Sequence, residues 1–294
     1  MIVDLHVHSR EGSDGRWPLA DIVAEAARRE IGLLAITDHD SLAAQPQAQE
    51  LAARHGISYL SGIELNVTLS HPALSGGREF RLDFLGYGID ITHPPLVAKL
   101  DALQAHRRTR AAAILDNVNA ELTRHDLRPL TTADLDHIQA HAEGALGRPH
   151  IADHLVAKGL VATRQEAFDT YLVRCDVPKL RLDLEEASHL VRSAGGSLVL
   201  AHPDDPNGTS LAAVAPSLND RFAILDSHLA PWIDGVECWH SRHSEQAAAA
   251  YLDWTRERNL LATGGSDCHQ HPVLLGSVPV PAWVGEQFPQ RSTP

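Results

Sequence analysis

Histidines and carboxylates recur in this chain in short motifs whose spacing can do chemistry. His6 and His8 are two residues apart in a segment that reads as a strand, so both side chains leave it on the same face. Asp14 follows in Ser13-Asp14-Gly15, Asp38 and His39 in Thr37-Asp38-His39-Asp40, Glu64 in Gly62-Ile63-Glu64, and Asp83 in an apolar run. Further along come His150 after Arg148-Pro149, His202 in Ala201-His202-Pro203, His240 and His243 after another apolar run, and Asp267 with His269 in Gly265-Ser266-Asp267-Cys268-His269. Taken singly, each could shape a turn, cap a helix or satisfy a structural hydrogen bond. Taken together, imidazoles mixed with carboxylates are a transition-metal donor set, and 19 histidines against 25 basic residues carry the same bias.

The elements that must position these residues alternate. Strands are expected at residues 2–7, 33–37, 58–64 and 80–87, helices at 19–30 and 42–55, and a polar loop at 70–78. From about residue 94 to 184 the chain turns Ala-, Leu- and Arg-rich, with helical spacing at 96–122, 132–141, 149–157 and 164–173 and no interrupting strand. The alternation resumes with a helix at 184–194, strands at 197–201, 235–239 and 260–263, a helix at 244–258, and an irregular Pro-rich tail after 278. The expected organisation is an α/β domain formed by residues 1–93 and 185–294, with a helical insertion at 94–184 that covers the active site. In a parallel barrel the carboxyl ends of the strands share one rim, which would bring the scattered histidines and carboxylates together.

Composition narrows the function. At 294 residues, 44% hydrophobic and 21% charged, the chain has ordinary globular usage, which excludes wholesale disorder, collagen and a disulfide miniprotein. No apolar run is long enough to span a bilayer, and MIVDLHVH lacks the basic start and apolar stretch of a signal peptide, so a cytoplasmic location is expected. Cys175, Cys238 and Cys268 are scattered and form no C-x-x-C pair, which fits reduced thiols. A net charge of −13 argues against wrapping a long nucleic acid, because such binding is driven by Lys and Arg neutralising phosphates. A small phosphorylated partner is compatible with it if positive charge is gathered in a pocket.

The motifs as a set resemble the PHP (polymerase and histidinol phosphatase) family, and within it the stand-alone phosphoesterases acting on nucleotide bisphosphates or cyclic sugar phosphates. The resemblance runs through Asp4-Leu5-His6-Val7-His8-Ser9, Ser13-Asp14-Gly15, Thr37-Asp38-His39-Asp40, Gly62-Ile63-Glu64, Arg148-Pro149-His150, Ala201-His202-Pro203 and Gly265-Ser266-Asp267-Cys268-His269. It implies a distorted (β/α)7 TIM-like barrel with two or three divalent metals at its carboxyl rim. By position, His6, His8, Glu64 and Asp267 would hold the first metal. Glu64 would bridge to a second, held also by His150 and residue 83, and Asp14, His39 and His269 would hold a third. Where the family usually has histidine before Leu-Gly-Tyr, this chain has Leu82-Asp83-Phe84-Leu85-Gly86-Tyr87, and an aspartate favours harder ions while adding a negative charge.

That metal set implies hydrolysis of a phosphate ester by metal-activated water, with Mn or Fe favoured over an all-oxygen Mg site and Zn also compatible. Three divalent ions set against Asp14, Glu64, Asp83 and Asp267 leave about two positive charges for a phosphate. His202 and His243 are the candidates for protonating the leaving alkoxide, with the third metal as a competing stabiliser. Arg148 and Lys179 are the candidate substrate clamps. The alternatives are a cyclic-phosphate phosphodiesterase, a 5'-3' exoribonuclease on short RNA and, from a different class, a non-catalytic metal-binding or polymerase-associated module.

Overall fold

The computed structural model describes residues 1–70, 77, 79–141, 147–269 and 274–288. The expected loop at 70–78 and the last residues of the tail therefore lie largely outside the described residues. The chain divides into two compact units, Met1–Val97 with Arg181–Pro294, and Ala98–Leu180.

In the first unit, β1 (Ile2–Asp4) leads to α1 (Leu19–Arg28), β2 (Ile31–Leu34), α2 (Gln45–Arg54) and β3 (Ser58–Tyr59). These strands form one parallel sheet in the order β1-β2-β3. Helix α1 starts after Pro18, and Leu19, Ile22, Val23 and Ala26 repeat at helical spacing to make its buried face. That face packs with Val7, Ile31, Leu34, Ile36 and the Ala48 and Ala52 positions of α2. Helix α2 begins three residues later than its apolar pattern suggests, because Pro46 sits in its first turn, where proline is best tolerated. The chain leaves α2 through Gly56 at φ +68°, a conformation that suits glycine.

The second sheet is built from β4 (Gly62–Leu69), β5 (Phe80–Tyr87), β6 (Ser197–Leu200), β7 (Gly235–His240) and β8 (Leu261–Gly265), in that spatial order. Strand β5 runs antiparallel to both β4 and β6, while β6, β7 and β8 run parallel. Val3, Leu5, Leu33 and Ala35 share a core cluster with Leu85, Tyr87, Val199 and Ala201, so the two sheets bury one apolar interior. Each fully buried aliphatic side chain contributes roughly 1.5–3 kcal/mol to that interior. The Tyr87 hydroxyl donates to the Leu5 carbonyl at 2.8 Å and ties the sheets together.

This arrangement corrects the expected (β/α)7 barrel: the described strands form two sheets, and neither closes on itself. The segment expected as one strand at 58–64 divides at residues 60–61, giving β3 to the first sheet and β4 to the second. With two residues, β3 is too short to carry a ladder onward. Elsewhere the sheets meet through isolated bridges, Val7 with Cys268 and His39 with Glu64. Glu64 accordingly stands near the start of an eight-residue strand rather than at its end, and Asp83 lies within antiparallel β5 opposite Asn66.

The first unit also holds helices at Leu184–Ser193 and Glu245–Glu257. Short helices at Leu211–Val214, Leu218–Ile224 and, as a 3-10 turn, Ala282–Gln287 occupy stretches that carry no expected element.

The second unit is helical. It contains most of α3 (Pro94–Arg124), α4 (Thr132–His141), α5 (Arg148–Ala157) and α6 (Arg164–Ala167), the last continuing into a π-helical turn at Phe168–Leu172. Ile114, Leu115, Val118 and Leu122 of α3 pack with Ile138, Ile151, Leu155, Tyr171 and Leu172 around a separate core. Among the described residues no helix is long and apolar enough to cross a membrane.

Candidate metal centre

The H-x-H pair follows β1 into the interior, where both rings are fully buried. His6 Nε2 lies 3.4 Å from Glu64 Oε2 and 3.4 Å from Asp267 Oδ1, and His8 Nε2 lies 3.2 Å from each of the same oxygens. Neither ring nitrogen makes a hydrogen bond. Each bare nitrogen thus lies 3.2–3.4 Å from one oxygen of both carboxylates, and His6, His8 and Asp267 offer atoms close enough to share an ion. Donors about 2.1 Å from a tetrahedral cation stand roughly 3.4 Å apart, so these nitrogen–oxygen spacings suit donors to a divalent ion. A buried polar atom without a partner is costly in a metal-free protein, and a cation removes that cost.

The local backbone explains the convergence. Gly265 packs against His6 so closely that a Cβ there would stand 2.4 Å from the His6 Cβ. Asp267 and His202 hold φ +54° and +28°, left-handed backbone that is unfavourable for residues bearing a Cβ. Asp4, buried at the end of β1, accepts the backbone N–H groups of Ser266 and Gly276 at 2.8 and 2.7 Å and so pins the Asp267 loop beside the H-x-H pair.

A second group spreads outward from His8. His269 Nε2 stands 3.3 Å from Asp14 Oδ1, His39 Nε2 3.9 Å from the same oxygen, and the His8 and His269 rings stack at 4.0 Å. His8, Asp14, His39 and His269 together offer atoms close enough to share an ion. A third group joins His39, Glu64 and Asp83. His39 Nδ1 lies 3.1 Å from Glu64 Oε2, and Asp83 accepts from the Asn66 amide at 2.7 Å and from the Thr209 hydroxyl. Glu64 thereby faces His6, His8 and His39 with one oxygen and His202 Nε2 with the other, at 3.0 Å.

These buried charges lean on one another. Burial alone would lower the His8 pKa, but the Asp267 and Glu64 carboxylates hold it up at about 10. His202, likewise opposed by burial, is held at about 9, chiefly by Glu64. Burial would raise Glu64, yet the rings of His39 and His6 keep it well below the usual carboxylate range. Asp83 is pushed up to about 6, first by burial and then by the neighbouring Glu64 charge.

The expected first-metal set, His6, His8, Glu64 and Asp267, is brought together. The expected third set, Asp14, His39 and His269, is joined by His8, and His39 also reaches the Glu64 and Asp83 group. His150, Arg148 and Lys179 belong to the helical unit. There His150 Nδ1 accepts the Gly147 N–H at 3.2 Å, Arg148 pairs with Asp176 at 2.7 Å, and Lys179 is exposed. His243 uses both ring nitrogens on backbone, Nδ1 with the Cys238 carbonyl at 2.9 Å and Nε2 with the Asp204 N–H at 3.2 Å. Burial holds its pKa down at about 4.

One residue of the centre, Glu237, escaped the sequence reading, and another, His240, was singled out there without a role. Glu237 is fully buried on β7 and bonds His6, and His240, also buried, places Nε2 3.3 Å from Asp267 Oδ2. The available signal was a carboxylate inside an apolar strand, Val236-Glu237-Cys238, which must find a buried partner.

Comparison with known proteins agrees with this geometry. The PHP domain family matches residues 4–170. The 5'-3' exoribonuclease Rnm of Escherichia coli is 31% identical over 276 residues, covering 92% of this chain and 86% of that one. The 3',5'-nucleoside bisphosphate phosphatase of Chromobacterium violaceum is 30% identical, covering 91% and 87%. A crystal structure from Bifidobacterium adolescentis, described as a metal-dependent phosphoesterase, superposes with a TM-score of 0.74 at 26% identity, covering 99% of this chain and 96% of that one.

Proposed function

The chain belongs to the PHP-domain family and is a metal-dependent hydrolase of phosphate esters, and from that premise we propose that it releases phosphate from a small nucleotide or sugar phosphate. The observation that carries the reading is the pair of bare, buried nitrogens, His6 Nε2 and His8 Nε2, facing Glu64 and Asp267. The nucleoside bisphosphate phosphatase among the relatives makes bisphosphorylated nucleosides the first substrates to try.

His6, His8, Asp14, His39, Glu64, Asp83, Asp267 and His269 would hold the divalent ions, which would supply a Lewis acid and a more acidic bound water. Glu64 presents its two oxygens to different neighbours, which suits it to bridge two ions. Mixed imidazole and carboxylate donors favour Mn or Fe. His202 is the residue we assign to protonate the leaving alkoxide: it is buried beside Glu64 and Asp83, with Nδ1 unpaired. Both nitrogens of His243 are committed to backbone, which favours His202 over it.

The test is a substrate panel on manganese-loaded full-length protein: a 3',5'-bisphosphorylated nucleoside, a sugar monophosphate, a cyclic sugar phosphate and a short 5'-phosphorylated RNA. Inorganic phosphate released fastest from the first two supports the reading. Ring opening without phosphate release, or mononucleotides released stepwise from RNA as the dominant activity, overturns it.

A further inference from the structure

Glu237 stands behind the metal centre, and both its oxygens are occupied. Oε1 lies 3.0 Å from His6 Nδ1, and Oε2 accepts the backbone N–H of His202 at 2.7 Å. The side chain is fully buried on β7, so one carboxylate grips two residues that follow different strands, His6 after β1 and His202 after β6. His6, Glu237 and His240 also lie close enough to suggest a cation of their own. The two N–H donors already on Glu237 make it an acceptor rather than a ligand, and His240 Nε2 turns to Asp267.

We infer that Glu237 is a positioning residue that fixes the tautomer of His6 and holds the backbone of His202. This rests on the metal-dependent reading of the centre. A neutral imidazole has one proton, so a His6 ring that offers Nε2 to a cation carries that proton on Nδ1, where Glu237 receives it. A carboxylate is required because both partners are donors. Glutamine has one acceptor oxygen and one NH2 group, and the backbone N–H of His202 cannot reverse its role. In Glu237→Gln the amide oxygen therefore stays with His202 and the NH2 group turns to His6 Nδ1. That makes Nδ1 the acceptor and moves the ring proton to Nε2, the atom that faces the cation. The change is nearly isosteric, and its cost falls on metal binding. The same carboxylate holds His202 at φ +28°, so ligand and proton donor share one support.

The experiment uses the full chain with zinc, which is diamagnetic, and follows zinc affinity by competition titration and the His6 ring by nitrogen-15 NMR. In zinc-loaded parent protein, His6 is expected to show a protonated Nδ1 and a ligated Nε2. Glu237→Gln is expected to weaken the tightest zinc site about 10- to 100-fold, the usual cost of losing a ligand's supporting hydrogen bond. Zinc affinity equal to that of the parent, or ligation of His6 through Nδ1 in the parent, overturns the inference. Should Glu237→Gln fail to fold, the parent spectrum decides alone. A parent that binds no zinc, manganese or iron overturns the metal-dependent reading itself, which separates the two failures.

Discussion

Among the described residues each unit brings histidine and carboxylate together in its interior, and the two places are chemically opposite. In the helical unit Asp134 Oδ1 receives His154 Nε2 at 2.9 Å and Lys158 Nζ at 2.6 Å, while Oδ2 receives the N–H and hydroxyl of Thr131 at 2.7 and 2.8 Å. Both carboxylate oxygens are satisfied by donors from the same unit. In the first unit His6 and His8 each leave a buried Nε2 unpaired beside carboxylates that already carry other contacts. Residue type and burial are alike in the two places. Hydrogen-bond satisfaction separates a structural cluster from one that awaits a cation.

The most disruptive way to test that contrast is at Glu64. Glu64→Gln removes the charge shared by the His6, His8, His39 and His202 contacts, and turnover should fall roughly a thousandfold, the loss of about 4 kcal/mol of transition-state stabilisation. The loss should exceed that of replacing His6 or His8 singly. Steady-state rates together with metal content check it, and small, equal losses would remove the bridging assignment.

Asp83 should give the next largest effect. Asp83→Ala is expected to lower metal content by one ion and turnover by about 10- to 100-fold, whereas Asp83→His should keep the ion and shift preference toward zinc. Elemental analysis after manganese and zinc competition reads both. Full occupancy and full turnover in the Ala variant would show that Asp83 is no ligand.

Asp134→Ala should behave in the reverse manner. It strands Lys158 and His154 and should lower stability by about 1–3 kcal/mol, seen as an earlier denaturant midpoint, without changing metal content. Metal loss in this variant would break the distinction between the clusters.

The smallest effect is one of pH, and the clusters should respond in opposite directions. His8 and His202 in the metal-free protein are held at about 10 and 9, above their ordinary 6.5. Such groups stabilise the fold fully below pH 6.5, and the contribution is lost as pH rises through 9 to 10. Lys158 holds Asp134 well below its ordinary 3.8, so its contribution is complete above that value and is lost only as acid approaches the depressed one. All five tryptophans lie in the first unit, so their fluorescence reports that unit. In chelator-treated protein the tryptophan transition should weaken from pH 7 to 10, and manganese should suppress the loss because the ion takes the place of the protons. A transition insensitive to alkali would show that the imidazoles carry no such charge.

Much of the centre is legible in the chain because its motifs are local. His6 and His8 on one face of an extended segment, or Asp267 and His269 in one turn, need only the two-residue period of the backbone to be paired. Glu237 was not legible as a member. Its partner His6 lies 231 residues away, and nothing in Val236-Glu237-Cys238 says which donor a buried carboxylate will meet.

The strands themselves were mostly legible, but the barrel they were expected to form was not. An apolar run such as Phe80–Tyr87 reads the same whichever way its neighbours point, and only the register of β5 against β4 and β6 makes it antiparallel to both. The division of residues 58–64 between two sheets is equally silent, since Leu60 and Ser61 break no apolar pattern. By itself the sequence determined residue chemistry, short-range spacing and the stretches that must be buried, because covalent geometry and hydrophobicity act locally. Strand direction, sheet membership and which buried nitrogens are left without donors or acceptors were decided by the tertiary structure, because each depends on a partner that the chain brings up from far away.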